Sequence, residues 1–138
     1  MFAENYATDS YQNLLFSIIK FKTLTGRYPT FITIVSHGFK ERRFREHHCK
    51  ALRWQLSKVR FEGIDPPQES MPRLQLDIAE AANRQHWESD LYGCDGFLDA
   101  KRRKRGWLHD ASVEAMRLMG GYKIDQEISN LLCYDGQF

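Results

Sequence analysis

Two short β-branched segments, separated by a helical pattern, constrain the fold of this 138-residue chain more than any other feature. Residues 31–35 read Phe-Ile-Thr-Ile-Val, and residues 59–64 form a second strand-like run. The nearly continuous apolar character of the first segment predicts a strand covered on both faces, as in a parallel sheet. Residues 40–55 predict the helix between them. Short links then imply a right-handed crossover and two neighbouring parallel strands.

The remainder of the chain is predicted to be mainly helical. A first helix over residues 8–25 follows the N-cap oxygens of Thr8, Asp9 and Ser10 and ends at Gly26. A third helix is expected over residues 71–87 and two weaker ones near residues 112–119 and 125–133, whereas residues 88–110 form an irregular, basic segment. Two strands make a poor sheet alone. The expected fold is therefore one α/β domain whose parallel sheet is incomplete and whose C-terminal part is helical.

Composition excludes several classes of protein. A hydrophobic content of 42% with 28% charged residues is typical of a globular chain, and a net charge of +2 does not require a polyanionic partner. The longest nearly apolar run, residues 14–19, is far shorter than the roughly 20 residues of a membrane span. No signal peptide is visible at the N-terminus. Cys49, Cys94 and Cys133 lack CxxC spacing, which predicts three reduced thiols in an intracellular, cytoplasmic protein.

Polar residues at two places indicate a binding site for an anion. In open α/β sheets the ligand crevice lies beyond the carboxyl ends of the strands, where the first helix and the loop after the first strand are expected to meet. Ser10 and Asn13 lie one helical turn apart at a helix N-terminus, where free amides favour an anion. Ser36, Lys40 and Arg43 follow the first strand. Together these residues predict a phosphate or carboxylate site.

A purely structural reading of the same residues stays open. Asp9 or Ser10 then caps the first helix, and Asn13 satisfies a nearby turn. Arg43 then pairs with Glu41 or Glu46 on its own helix. In that reading, Arg43→Ala lowers stability and there is no ligand to lose. In the binding reading, the same change removes binding and leaves the fold intact, provided that Arg43 is exposed.

The two polar segments also resemble the SanA/YdcF-like family (domain of unknown function 218, DUF 218), particularly its eukaryotic, largely fungal branch. The bacterial pattern Glu-x-x-Ser-x-Asn-Thr-x-Glu-Asn falls on Glu4, Ala7, Asp9, Ser10, Gln12 and Asn13. A second pattern, an apolar strand followed by Thr or Ser and a helix-opening Arg, falls on residues 32–35, Ser36 and Arg43, with Lys40 where bacterial members often have His. The segments closest to the eukaryotic branch are residues 9–17, 25–29, 39–44, 63–67 and 90–94.

The resemblance covers roughly residues 4–105 and implies a Rossmann-like three-layer fold in a short form that lacks the family's N-terminal strand. It implies no established reaction and no cofactor. Ala7 and Gln12 stand where the family has a hydroxyl and a carboxylate, so a donor and a general base are missing. The expected function is binding of an anionic or nucleotide-like small molecule. The alternative is a truncated, non-catalytic relative that acts through self-association or a protein partner.

Other reactive residues give weaker signals. The adjacent His47, His48 and Cys49 diverge on a helix, so they do not form the convergent set that zinc requires. Cys94 has no local signature of a nucleophile paired with a histidine, whether His37, His86 or His109, and it is interpreted as a buried turn thiol. No metal site is therefore predicted.

Residues 101–105, Lys-Arg-Arg-Lys-Arg, form the strongest charge feature. Such a run can bind nucleic acid or be recognised by a nuclear import receptor. Asp90, Asp95 and Asp99 lie just upstream, which favours a solvated or internally paired face over a nucleic-acid site. On that interpretation, Arg102→Ala is expected to change little.

Overall fold

The two β-branched segments form a parallel pair of strands. The structure is a computed structural model that describes residues 1–65, 67 and 72–133. Strand β1, Ile32–Ser36, pairs with β2, Val59–Gly63, so that Ile32 lies opposite Val59 and Ser36 opposite Gly63. The predicted parallel arrangement is confirmed, and the protein is a mixed α/β chain with a small two-stranded sheet among the described residues.

The connection between β1 and β2 is not the single helix predicted over residues 40–55. It consists of a 3₁₀ turn, a π-helix, a short α-helix α2 and a second 3₁₀ turn, with the bounds Gly38–Lys40, Arg43–His48, Cys49–Ala51 and Leu56–Lys58. The helical course ends early because Arg53 adopts a left-handed backbone conformation, φ 53°. A π-helix widens the turn locally and often occurs at functional sites.

Contacts divide the chain into two compact units. The first, called the sheet unit, spans Thr30–Leu91 and contains β1, β2, α2 and helix α3, Arg73–Ser89. The interior of the sheet unit is aromatic: His48 lies edge-on to Trp87, with ring centroids 4.6 Å apart, and Phe44 contacts Phe61. Trp87 is fully buried, whereas Trp54 is half-buried. The predicted start of α3 at Met71 lies outside the described residues.

The second unit, called the helical unit, combines Met1–Pro29 with the residues from Tyr92 onward. It contains four helices among the described residues: α1 Ser10–Thr25, α4 Gly96–Lys104, α5 His109–Met119 and α6 Gln126–Leu132. Asp9 caps α1 by accepting a hydrogen bond from the amide of Gln12 at 2.8 Å. Gly26 ends the helix in the left-handed conformation, φ 77°, as the sequence predicted.

Helix α4 corrects the prediction that residues 88–110 are irregular. Its buried face is formed by Leu98 and Arg102, four residues apart, so a charged residue occupies one of the two positions where an apolar residue would have revealed the periodicity. Trp107 then packs 5.5 Å from Phe16 between ring centroids and joins the core of the helical unit. None of the described helices is long and apolar enough to cross a membrane.

The prediction of three reduced cysteines is wrong for two of them. Cys94 and Cys133 form a disulfide with their Cα atoms 5.2 Å apart, and Cys49 is a free, buried thiol. The pairing links the segment before α4 to the end of α6, 39 residues away along the chain. A separation of this length carries no local motif, which is why spacing alone did not predict the pair.

Candidate functional site

The carboxyl ends of β1 and β2 lie in direct backbone contact. A Cβ atom added to Gly63 would stand 2.9 Å from the Cα of Gly38, and one added to Gly38 would stand 2.9 Å from Oδ1 of Asp65. The amide of Ile64 also donates to the carbonyl oxygen of Ser36 at 2.8 Å. The loop after β1 is therefore held against the end of β2, and Gly63 is needed for this approach because a side chain there would meet the backbone of Gly38.

His37 and Phe39 form an aromatic pair in that loop. Their rings are stacked, with centroids 5.4 Å apart and planes 9° from parallel. Nδ1 of His37 lies 2.9 Å from the carbonyl oxygen of Ile64, just past the end of β2. Two independent contacts thus fix the imidazole at the strand ends.

Lys40 follows this pair at the end of the 3₁₀ turn and is half-buried. Burial lowers the pKa of its ammonium, the nearby Arg43 guanidinium lowers that pKa further, and Glu80 acts in the opposite direction. Within the part of the chain that the structure describes, no carboxylate forms an ion pair with Lys40. The strand ends therefore carry a cation whose charge is disfavoured by its surroundings.

Arg43 does not present an exposed guanidinium. The side chain is only 6% exposed, and its Nε lies 3.1 Å from Oε1 of Glu80, a residue of α3 that is 4% exposed. Arg43 thus forms an ion pair, but the expected partners, Glu41 and Glu46, were wrong. Glu41 and Glu46 pair instead with two neighbouring arginines of the π-helical segment, Arg45 and Arg42.

Ser10 and Asn13 belong to the helical unit, whereas Ser36, Lys40 and Arg43 belong to the sheet unit. Ser10 is half-buried in the first turn of α1, and Asn13 is exposed one turn later. The carboxylate of Asp9 already occupies the N-terminus of α1, because Oδ1 accepts the Gln12 amide and Oδ2 lies 2.5 Å from Nε of Arg102. The anion-favouring end of this helix is thus filled by a side chain of the protein itself.

The basic run was predicted to be solvated or internally paired, and its most buried member, Arg102, is internally paired. It is 2% exposed, and besides Asp9 its Nη1 donates to the carbonyl oxygen of Gly93 at 2.5 Å. Two other residues of the basic run are also engaged: Arg103 pairs with Asp99 at 2.7 Å, and Arg105 donates to the carbonyl oxygen of Thr8. The four-residue spacing from Leu98 was the available signal, but a run of five cations concealed it.

The remaining nucleophile and metal candidates are accounted for by burial or bonding. Cys94 is in the disulfide, and burial raises the pKa of the Cys49 thiol. Burial also lowers the pKa of His47, so its neutral form is favoured. No group of three or more His, Cys, Asp or Glu side chains that could hold a metal ion is found among residues 1–65, 67 and 72–133.

Comparison with known proteins shows a similarity to a yeast protein. The "Uncharacterized protein YOR238W" of Saccharomyces cerevisiae is 31% identical over 110 residues, which cover 74% of this chain and 36% of the yeast protein. The chain thus spans little more than a third of the length of that relative. No family model matches the chain. No solved structure matches it either.

Proposed function

We propose that the sheet unit binds an anionic small molecule, a phosphate or a carboxylate, at the carboxyl ends of β1 and β2, with Lys40 as the charged donor. The observation that carries this proposal is the half-buried ammonium of Lys40, which has no carboxylate ion pair among the described residues and lies near the Arg43 guanidinium. An anion at this position would stabilise the charged form of Lys40.

The position of the site within the fold supports the same proposal. Ligands of open α/β sheets bind beyond the carboxyl ends of parallel strands. Gly63 allows the two strand ends to come together, and Ser36 supplies a neutral hydroxyl there. We propose that the chain is a Rossmann-like relative of the SanA/YdcF-like family that acts in the cytoplasm or nucleus. The location inferred from three reduced cysteines has no support from Cys94 and Cys133, because these two form a disulfide.

Arg43 has a different role in this proposal from that of Lys40. Its guanidinium is buried against Glu80, so Arg43 positions the π-helical segment and contributes to the local positive potential. Lys40 provides the contact with the ligand. Loss of a charge-assisted hydrogen bond costs about 1.5–3 kcal/mol, which corresponds to a loss of affinity of roughly tenfold or more.

Isothermal titration with inorganic phosphate, pyrophosphate and citrate tests the proposal. Lys40→Gln is expected to weaken binding at least tenfold. Lys58→Gln, at an exposed lysine just before β2, is the matched control and is expected to bind as the parent does. Affinity should fall as the pH rises through the lowered pKa of Lys40, because the neutral amine loses its attraction for the anion. Equal affinities for the two variants would refute the proposal.

Protein association is a second candidate function, and the exposed face of the sheet favours it. Phe31, Val35 and Ile64 are each more than half exposed at or beside the strands, whereas parallel sheets are normally covered on both faces. Unpaired strand edges also recruit further strands. The purified chain is therefore expected to be poorly soluble, to dimerise or to require a partner. A stable monomer in light scattering, with cooperative unfolding, would count against this candidate.

Nucleic-acid binding has less support from the basic run. Arg102 is buried, and both Arg103 and Arg105 are bonded within the helical unit, so few of the five cations remain for phosphates. A salt-dependent affinity for RNA that is lost on changing Lys101 and Lys104 would revive it.

A further inference from the structure

The hydrogen bond of His37 defines which of its ring nitrogens can react. Nδ1 lies 2.9 Å from the carbonyl oxygen of Ile64, and a carbonyl oxygen can only accept a hydrogen bond. Nδ1 therefore carries the proton in the neutral ring, and Nε2 holds the free lone pair. The backbone thus selects one tautomer of this imidazole.

The imidazole that carries this lone pair is exposed as well as fixed in direction. His37 is exposed, and the ring is held on one side by the nearly parallel ring of Phe39. A nucleophilic or basic side chain oriented by a third group through its second nitrogen is a recurrent arrangement in catalytic sites. Here the third group is the Ile64 carbonyl, and the ring orientation is further restrained by the stacking.

Lys40 belongs to the same turn as His37. Its amide donates to the carbonyl oxygen of His37 at 3.0 Å, and its ammonium lies 5.7 Å from the centroid of the Phe39 ring on which His37 stacks. A cation and an imidazole lone pair are thus presented by four consecutive residues at the carboxyl end of β1. Phosphoryl transfer needs these two elements, a nucleophile and a positive charge on the phosphoryl oxygens.

We propose that His37 is the catalytic nucleophile of a phosphoryl-transfer site and that Nε2 accepts a phosphoryl group from a small phosphodonor. This inference rests on the proposed anion site at Lys40. In the step, the Nε2 lone pair forms an N–P bond while the bond from phosphorus to the leaving group breaks and its electron pair departs with that group. Nδ1 keeps its proton and continues to donate a hydrogen bond to the carbonyl oxygen of Ile64. Lys40 stabilises the charge on the phosphoryl oxygens. No oxidant or reductant is needed.

The test uses the full chain with potassium phosphoramidate as the phosphodonor, whose leaving group is ammonia. Intact-mass spectrometry under alkaline conditions, followed by fragmentation, is expected to show one phosphoryl group, located on His37. His37→Gln should abolish the modification while retaining the affinity for inorganic phosphate, and its melting temperature should match that of the parent because the ring is exposed. Lys40→Gln should slow the modification at least tenfold.

His109 is the matched control for the intrinsic reactivity of an exposed histidine. Its Nδ1 is also engaged, 3.0 Å from Oδ1 of Asp110, but no lysine of the same turn accompanies it. His109→Gln should be phosphorylated as rapidly as the parent. Equal modification of His37 and His109, or none on His37, would overturn the inference. If phosphate still binds in a Lys40-dependent manner in that case, the proposed anion site stands and only the transfer role of His37 is lost.

Discussion

Each unit of the protein buries one arginine against one carboxylate, and the two pairs differ in what surrounds them. In the helical unit, Arg102 contacts Asp9 and the Gly93 carbonyl, and the same carboxylate caps α1. In the sheet unit, Arg43 contacts Glu80, and the cation of Lys40 stands nearby. The first pair therefore belongs to a network that includes a backbone carbonyl and a helix cap. The second pair instead stands beside the additional positive charge of Lys40.

This difference separates a structural ion pair from one that belongs to a candidate site. The Arg102 pair joins residues 93 positions apart and neutralises the anion at a helix N-terminus, so it offers little to an external ligand. The Arg43 pair is balanced in itself, but Lys40 adds a charge beside it that is disfavoured by burial. A titratable side chain whose charged form is disfavoured by burial and by a neighbouring charge is a candidate for a functional site.

The largest expected effect comes from removing the guanidinium of the helical unit. Arg102→Ala should lower the free energy of unfolding by about 3–5 kcal/mol, because it leaves the Asp9 carboxylate buried without its partner. This expectation reverses the sequence-based one, in which the same change was predicted to have little effect. The change in stability is measured by urea denaturation.

Arg103→Ala is the control for that experiment. Arg103 pairs with Asp99 across one turn of the same helix, but its side chain is 62% exposed, so its loss should change stability by less than about 1 kcal/mol. If the two substitutions lower the free energy of unfolding equally, the burial of Arg102 has no energetic consequence, and the expectation for the Arg102 ion pair is wrong.

Reduction of the Cys94–Cys133 disulfide should have the next largest effect. Closing a loop of this size stabilises a folded chain by about 3–4 kcal/mol. Residues near both cysteines in the sequence contact Tyr11. The Tyr11 hydroxyl donates to the carbonyl oxygen of Leu131 at 2.7 Å, and the Tyr11 ring contacts that of Tyr92. Hydrogen exchange after reduction should therefore increase in α1 and α6 and stay unchanged in β1, β2 and α3.

The double variant Cys94→Ser/Cys133→Ser should reproduce the reduced state in the presence and absence of a thiol reagent. Cys49→Ser, at the free cysteine of the sheet unit, should not change the response to reduction. Equal loss of protection in the two units would show that the disulfide supports the whole chain, and the two units could then not be compared as separate bodies. An intact mass that does not change on reduction would exclude the disulfide.

How far the sequence predicts this protein depends on whether a signal is local. The strands, their parallel pairing and the extent of α1 follow from propensity, periodicity and a glycine cap, all of which act within a few residues. The roles of Arg43, Arg102, Cys94 and Cys133 depend on partners between 9 and 93 positions away. A charged residue on the buried face of α4 also resembles a surface residue until its partner is known. The binding role predicted for the polar residues after β1 stays a prediction, and the fixed tautomer of His37 could be assigned only once the Ile64 carbonyl oxygen was located beside its ring.

Breaking the ion pair of the sheet unit should cost less than breaking that of the helical unit. Arg43→Ala leaves Glu80 buried, but Lys40 remains near enough to offset part of its charge, so we expect a loss of about 3 kcal/mol, at the lower end of the range for such pairs. The double variant Arg43→Met/Glu80→Leu should recover most of that stability, since both charges are removed. The measurement is a double-mutant cycle in urea.

One result of this cycle would contradict the role that we assign to Arg43. If Arg43→Ala is as stable as the parent and loses phosphate affinity, Arg43 is a ligand-binding residue, as the sequence first indicated, and the distinction drawn between Arg43 and Lys40 is wrong. If Arg43→Ala is destabilised and the additional change Lys40→Gln destabilises it further, Lys40 is compensating Glu80 as we expect.

The smallest expected effect concerns Asn13 and decides whether α1 has any role beyond structure. Asn13 is exposed, so Asn13→Ala should change the free energy of unfolding by less than about 0.5 kcal/mol. The carboxylate of Asp9 already occupies the N-terminus of this helix, and we therefore expect Asn13→Ala to bind inorganic phosphate as the parent does. Titration of Asn13→Ala and Lys40→Gln side by side gives the comparison, because both variants should fold normally and only the second should lose affinity. A tenfold loss of affinity in Asn13→Ala without loss of stability would assign Asn13 to the binding site, and the helical unit would then contribute to ligand binding as the sequence predicts.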